Sequence, residues 1–144
     1  MIRVTRRYRF SASHRLHSSA LSDAENRELY GKCDNPYGHG HNYEIEVSAR
    51  ARVEQRSGRA VDIRVLDRLV EDQVTQAFNN KNLNEEPAFE HVVPTTENLG
   101  REIFQRLKTN WPGFFAGEWP RLEKIRIAET NRNIFEVSET HGEV

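Results

Sequence analysis

Residues 2 to 14 and 39 to 53 alternate apolar and polar side chains with period 2, a pattern that suits half-buried β-strands and little else. In the first stretch Ile2, Val4, Tyr8, Phe10, Ala12 and His14 share one face, and Arg3, Thr5, Arg7, Arg9, Ser11 and Ser13 the other. In the second, His39, His41, Tyr43, Ile45, Val47, Ala49, Ala51 and Val53 fall on one side, with Asn42, Glu44, Glu46, Ser48, Arg50 and Arg52 opposite. One face of each strand is therefore built for a core. The other face is basic in the first strand and acidic at Glu44 and Glu46 in the second, which suits cross-strand ion pairing on a wetted sheet surface. Arg6 interrupts the first apolar row and points to a sheet end or a subunit contact.

The remaining chain supplies helices and two further strands. Residues 17 to 37 are polar and turn-rich and read as a long loop or excursion. Gly58 marks a turn, and Val61 to Ile63 reads as a short return strand. Leu66, Leu69, Val70, Val74, Ala77 and Phe78 form a helical stripe over residues 64 to 78. A polar loop with Pro87 and Pro94 follows. Thr95 or Thr96 caps a second helix, with Glu97 in its first turn and Leu99, Ile103, Leu107 and Trp111 as its apolar stripe. Pro112 and Gly113 are expected to end it. Residues 121 to 130 read as a third long strand with Ile125, Ile127 and Glu129 on one face; Asn131 to Asn133 turn, and Asn133, Phe135 and Val137 begin the last. The order strand, strand, helix, helix, strand, strand predicts an α+β fold, an antiparallel sheet with helices gathered on one face.

The 144 residues form one domain, 1–144, with no repeat or linker to divide it. A net charge of -1 gives no reason to expect nucleic acid or an anionic membrane as partner. A single cysteine cannot form an internal disulfide. The N-terminus MIRVTRRYRF has no apolar core, and no apolar run approaches the roughly 20 residues of a membrane span. A cytoplasmic protein is expected.

The chemistry concentrates in residues 31 to 42, GKCDNPYGHGHN, which hold Cys33 and the pair His39 and His41. Imidazoles two apart on a strand point the same way. His14 ends the inward row of the preceding strand and supplies a third. Three imidazoles with one open position is the ligand set of a catalytic zinc. Half-buried histidines satisfied by hydrogen bonds are the alternative, a costly use of a core. Cys33 lies in a Gly- and Pro-containing loop beside that set, where a nearby dication favours the reactive thiolate. Glu129 ends an inward apolar row and must meet a partner, either a cation or a ligand with adjacent N–H donors. Thr95 and Thr96 read as helix caps or pocket residues. Arg3, Arg6, Arg7, Arg9 and Arg15 either face phosphates or form a solvated strand face. His17, His91 and His141 lie in polar surroundings and read as surface.

FSASHRL at 10–16, YGKCDNPYGHGHNYEIEV at 30–47, KNLN at 81–84, PTTENL at 94–99 and AET at 128–130 together resemble the 6-pyruvoyltetrahydropterin synthase family, which includes 6-carboxytetrahydropterin synthases of queuosine synthesis. The resemblance implies a tunnelling fold (T-fold) with a four-stranded antiparallel sheet and two helices on one face. It implies trimers stacked into a homohexamer, the charged strand faces lining a barrel and the active sites between subunits. Zn2+ would be bound by His14, His39 and His41. Cys33 would be the proton-abstracting thiolate. Glu129 would anchor the pterin as a catalytic and substrate-binding residue, with Thr95 and Thr96 beside it. The implied reaction is that of a lyase on 7,8-dihydroneopterin triphosphate, releasing triphosphate to give a 6-pyruvoyl- or 6-carboxy-tetrahydropterin. One departure stands out. Where the family usually has Asp-His before the Lys-Asn-Leu run, this chain has Asn79-Asn80, and an amide cannot exchange a proton near neutral pH. Cys33 acting with zinc alone, a substitute base such as His91, cleavage of unphosphorylated dihydroneopterin, or a non-catalytic pterin-binding protein are the readings this leaves.

Overall fold

A computed structural model describes residues 1–139; His141 and Val144 fall outside them. The chain runs β1 (Ile2–His14), α1 (Asp23–Tyr30), β2 (His39–Ala51), α2 (Ile63–Val70), a π turn (Glu71–Thr75), α3 (Gln76–Phe78), β3 (Lys81–Asn82), α4 (Thr96–Phe114), β4 (Arg121–Ala128) and β5 (Ile134–Ser138). The two alternating stretches pair antiparallel along their whole length, from Ile2 opposite Ala51 to His14 opposite His39. This register sets the apolar rows side by side, with Phe10 against Tyr43 and Tyr8 against Ile45. It also sets Arg7 opposite Glu46 and Arg9 opposite Glu44, and both pairs form ion contacts on the open face. Arg126 of β4 adds a third member by reaching Glu46.

The sheet order is β3-β1-β2-β4-β5. Its four long strands are antiparallel, as the alternation predicts, and the fifth is a two-residue parallel edge against Ala12 and Ser13. Asn80 creates that edge. Its φ of 60° turns the chain after α3, in the left-handed region that Asn tolerates better than most residues. Asn80 N donates to Ser11 O at 2.6 Å, and Ser11 N donates to Asn79 Oδ1 at 2.9 Å. The two asparagines thus hold the helix end to β1.

α2, the π turn and α3 form one continuous helix that packs with α4 on the apolar face. Leu66, Leu69, Val70, Val74, Phe78, Leu99, Ile103 and Leu107 are fully buried against Tyr43, Ile45, Val47, Ile125 and Ile127. Gly100 allows α4 to approach the sheet closely: a Cβ there would stand 3.1 Å from Ile127 Cγ2 and 3.2 Å from Val137 Cγ2.

Five local expectations change. The 17–37 excursion contains α1, started by a capping box in which Ser22 and Glu25 satisfy each other's backbone N–H groups. Val61 to Ile63 is no strand, because Asp62 caps α2 through Arg64 N and Ile63 is already helical. Pro112 does not end α4; only its own N–H is lost, and the helix runs on to Phe114. Arg6 marks no sheet end, since it lies in mid-strand opposite Val47: its guanidinium grips Asp67 of α2 at 2.7 and 3.0 Å, and Tyr8 donates to the same carboxylate. The third strand stops at Ala128, which leaves Glu129 in the hairpin, its N–H donating to Asn133 O.

Candidate active site

The β1–β2 register brings three imidazoles together. His14 and His39 are opposite strand ends, and His41 follows on the same face. Their ring centroids lie 4.6–4.9 Å apart, each pair close to perpendicular. His14 is 1% exposed, and its Nδ1 donates to Pro94 O at 2.8 Å. That bond fixes the tautomer and turns an Nε2 lone pair towards the other rings. His14 Nε2 and His39 Nε2 stand 3.1 Å apart. His39 Nδ1 and His41 Nε2 are buried without a hydrogen-bond partner. Burial pushes the imidazoles of His14 and His41 below the ordinary histidine value, against the opposing pull of Pro94 O on His14 and of the Glu129 charge on His41.

Glu129 joins them from the β4–β5 hairpin. Thr96 Oγ1, in the first turn of α4, donates to Glu129 Oε2 at 2.6 Å, and Glu129 Oε1 lies 2.8 Å from His41 Nε2. The second contact is short, yet its angles do not make a hydrogen bond, so His41 Nε2 counts as unpartnered. One ligand atom from each of His14, His39, His41 and Glu129 lies within 4.8 Å of all the others. Imidazoles with unspent nitrogens and a carboxylate at one point form a donor set that suits zinc.

Cys33 sits in the 3-10 turn Gly31–Asp34 that follows α1, and its carbonyl accepts from Leu16 N at 2.7 Å. It shares a cavity of about 990 Å³ with His39, His41, Arg15, Arg27 and Lys32. Burial first, and the Glu129 charge second, push its thiol above the ordinary cysteine value. Thr95 and Thr96 divide the roles that sequence leaves open between them. Thr95 is the cap, accepting from Asn98 N at 3.2 Å, and Thr96 is the residue on Glu129.

The histidines read as surface do not behave alike. His91 is exposed, lies beside Glu90 and does not line the Cys33 cavity. His17 is only 25% exposed, and its Nδ1 meets Asp34 Oδ1 at 2.6 Å. Asp34, 7% exposed, also takes Arg15 Nη2 at 3.1 Å, while Arg15 Nε donates to the Asp34 carbonyl. Sequence reading missed this brace. Its one signal is a carboxylate directly after the lone cysteine. Asn79 and Asn80 are engaged with β1 and do not line the Cys33 cavity.

An α+β sheet with an inward cluster of three histidines and a carboxylate beside a lone thiol is a small-molecule enzyme site in its layout. The family model for 6-pyruvoyl tetrahydropterin synthase matches residues 3–140, and the chain belongs to that family of lyases. It is 43% identical over 132 residues to the 6-pyruvoyl tetrahydrobiopterin synthase of Poecilia reticulata, covering 91% of this chain and 86% of the relative. It is 41% identical to the human enzyme of the same name, over 91% of this chain and 87% of that one. The structure of Caenorhabditis elegans 6-pyruvoyl tetrahydropterin synthase superposes with a TM-score of 0.86 at 36% identity, covering 96% of each chain. The fold is the tunnelling fold of these synthases, and the chain is a pterin synthase.

Proposed function

We propose that this chain is a single pterin synthase-like domain acting on 7,8-dihydroneopterin triphosphate. It would release triphosphate and form a 6-pyruvoyl-tetrahydropterin, with the 6-carboxy product of queuosine synthesis as the second outcome that product mass would show. The observation that carries this is the convergence of His14, His39, His41 and Glu129 beside the cavity that holds Cys33. His14, His39 and His41 would hold Zn2+, which when bound supplies a Lewis acid that acidifies a side-chain hydroxyl of the substrate.

The protein's own groups divide the remaining work. Glu129, oriented by Thr96, would receive the adjacent N–H donors of the pterin ring and fix its position, with Thr95 shaping the start of α4 beside it. Cys33 would take and return protons on the side-chain carbons. Arg27 and Lys32, on the wall of the Cys33 cavity, give the positive charge an anionic leaving group needs. Since Asn79 and Asn80 are amides, that segment gives Cys33 no Asp-His relay.

Incubating zinc-loaded protein with 7,8-dihydroneopterin triphosphate and weighing the products tests the reading. A product lacking triphosphate, absent from Cys33→Ala although that variant still binds substrate, is the expected result. Turnover of unphosphorylated dihydroneopterin alone would replace the substrate. Tight pterin binding with no turnover, restored by Asn79→Asp/Asn80→His, would make the chain a binding protein. No helix among the described residues is long and apolar enough to cross a membrane, and we place the enzyme in the cytoplasm as a homohexamer with active sites between subunits.

A further inference from the structure

We propose that Glu129 is the fourth ligand of the resting metal site, held there by Thr96, and that the pterin ring and the metal compete for this carboxylate. The inference rests on the metal and pterin reading above.

Three observations carry it. Glu129 Oε1 stands 2.8 Å from His41 Nε2 with no hydrogen bond between them. Two lone-pair atoms that close, with no proton aligned between them, are arranged as neighbouring ligands of one cation. The other oxygen, Oε2, is taken by Thr96 Oγ1 at 2.6 Å, and Thr96 is 2% exposed. Oε1 is therefore the oxygen left for the imidazole side. Glu129 is also held at its backbone, through its N–H to Asn133 O and the turn in which Thr130 Oγ1 accepts from Arg132 N and Asn133 N. Position comes from the hairpin and orientation from α4.

A ring that offers two adjacent N–H donors draws on both carboxylate oxygens, and at Oε1 it competes with the metal for the electron density of one oxygen. The resting site is then closed by four protein ligands, and it opens a coordination position only when a pterin is present. Coupling of two ligands is reciprocal: the ring weakens metal retention by the same factor as the metal weakens the ring.

The probe is pterin itself, the bicyclic ring without a side chain, so that no side-chain hydroxyl can reach the metal. Zinc affinity is measured against a chromogenic chelator, and Co2+ absorption reports the ligand set. Glu129→Gln is expected to lose about 10- to 100-fold in zinc affinity, with Thr96→Val losing less in the same direction. Pterin should weaken zinc retention in the unaltered protein, leave it unchanged in Glu129→Gln, and shift the cobalt spectrum towards that of Glu129→Gln. Equal zinc affinity and an unchanged cobalt spectrum in Glu129→Gln, or zinc held as tightly or more tightly with pterin, would overturn the proposal while the three-histidine site stands. If the unaltered protein takes up no zinc, both this proposal and the metal reading fall. Thr96→Val only exchanges the hydroxyl for a methyl group and keeps the test open should Glu129→Gln fail to fold.

Discussion

His14 is where the strand, the helix layer and the site meet, since its ring is spent on one side at Pro94 and turned to the other imidazoles on the opposite side. Both His14 and His41 have their values lowered, chiefly by burial. The unfolded chain, with imidazoles near the ordinary value of about 6.5, then binds more protons than the native one as pH falls. In chelator-stripped protein, stability should be undiminished by these groups above that value and should fall as pH drops through it. A Tm series from pH 8 to 5 checks this, and His14→Gln should flatten the slope. Asp34 makes a separate case. Asp34→Leu leaves Arg15 and His17 without their shared acceptor and should cost about 1–3 kcal/mol in urea unfolding. The three clustered histidines were legible because strand parity alone puts them on one face. Asp34 with His17 was not, because a contact across a loop leaves no periodic trace.

At the scale of elements, the strands were readable and the short pieces were not. Alternation over 13 residues defines β1 and β2 and even their charged partners. Two residues of β3 carry no pattern at all, and they exist because Asn79 and Asn80 tie the chain to Ser11. α1 had a signature in Ser22 and Glu25, three apart. It was hidden because the helix has little apolar surface to bury, Asn26 being its only buried residue. Its stability then depends on its ends. Ser22→Ala should cost about 1 kcal/mol, detected by faster amide exchange in 23–30. Gly100 makes the opposite kind of demand: Gly100→Val must push into Ile127 and Val137 and should lower stability by about 1–3 kcal/mol. A calorimetric Tm equal to that of the unaltered protein would show that α4 can lift off the sheet at little cost.

For the molecule as a whole, the asymmetry of the sheet is the governing fact. One face is covered by helices; the other carries Arg3, Arg7, Arg9, Arg126 and Lys124 paired with Glu123, Glu44, Glu46 and Glu136. In the hexamer we propose, that face would line the barrel, and sedimentation should give about six times the 16.8 kDa of one chain. A monomer at micromolar concentration would count against it. The pairing of β1 with β2 has one more consequence. If the two strands slid past each other by a single place, Phe10 would turn to water, and His14 would lose the rings it faces in the same movement. No misaligned form could keep a sound interior while having merely lost its chemistry, so selection for a stable chain and selection for a working one act on the same ladder of backbone bonds.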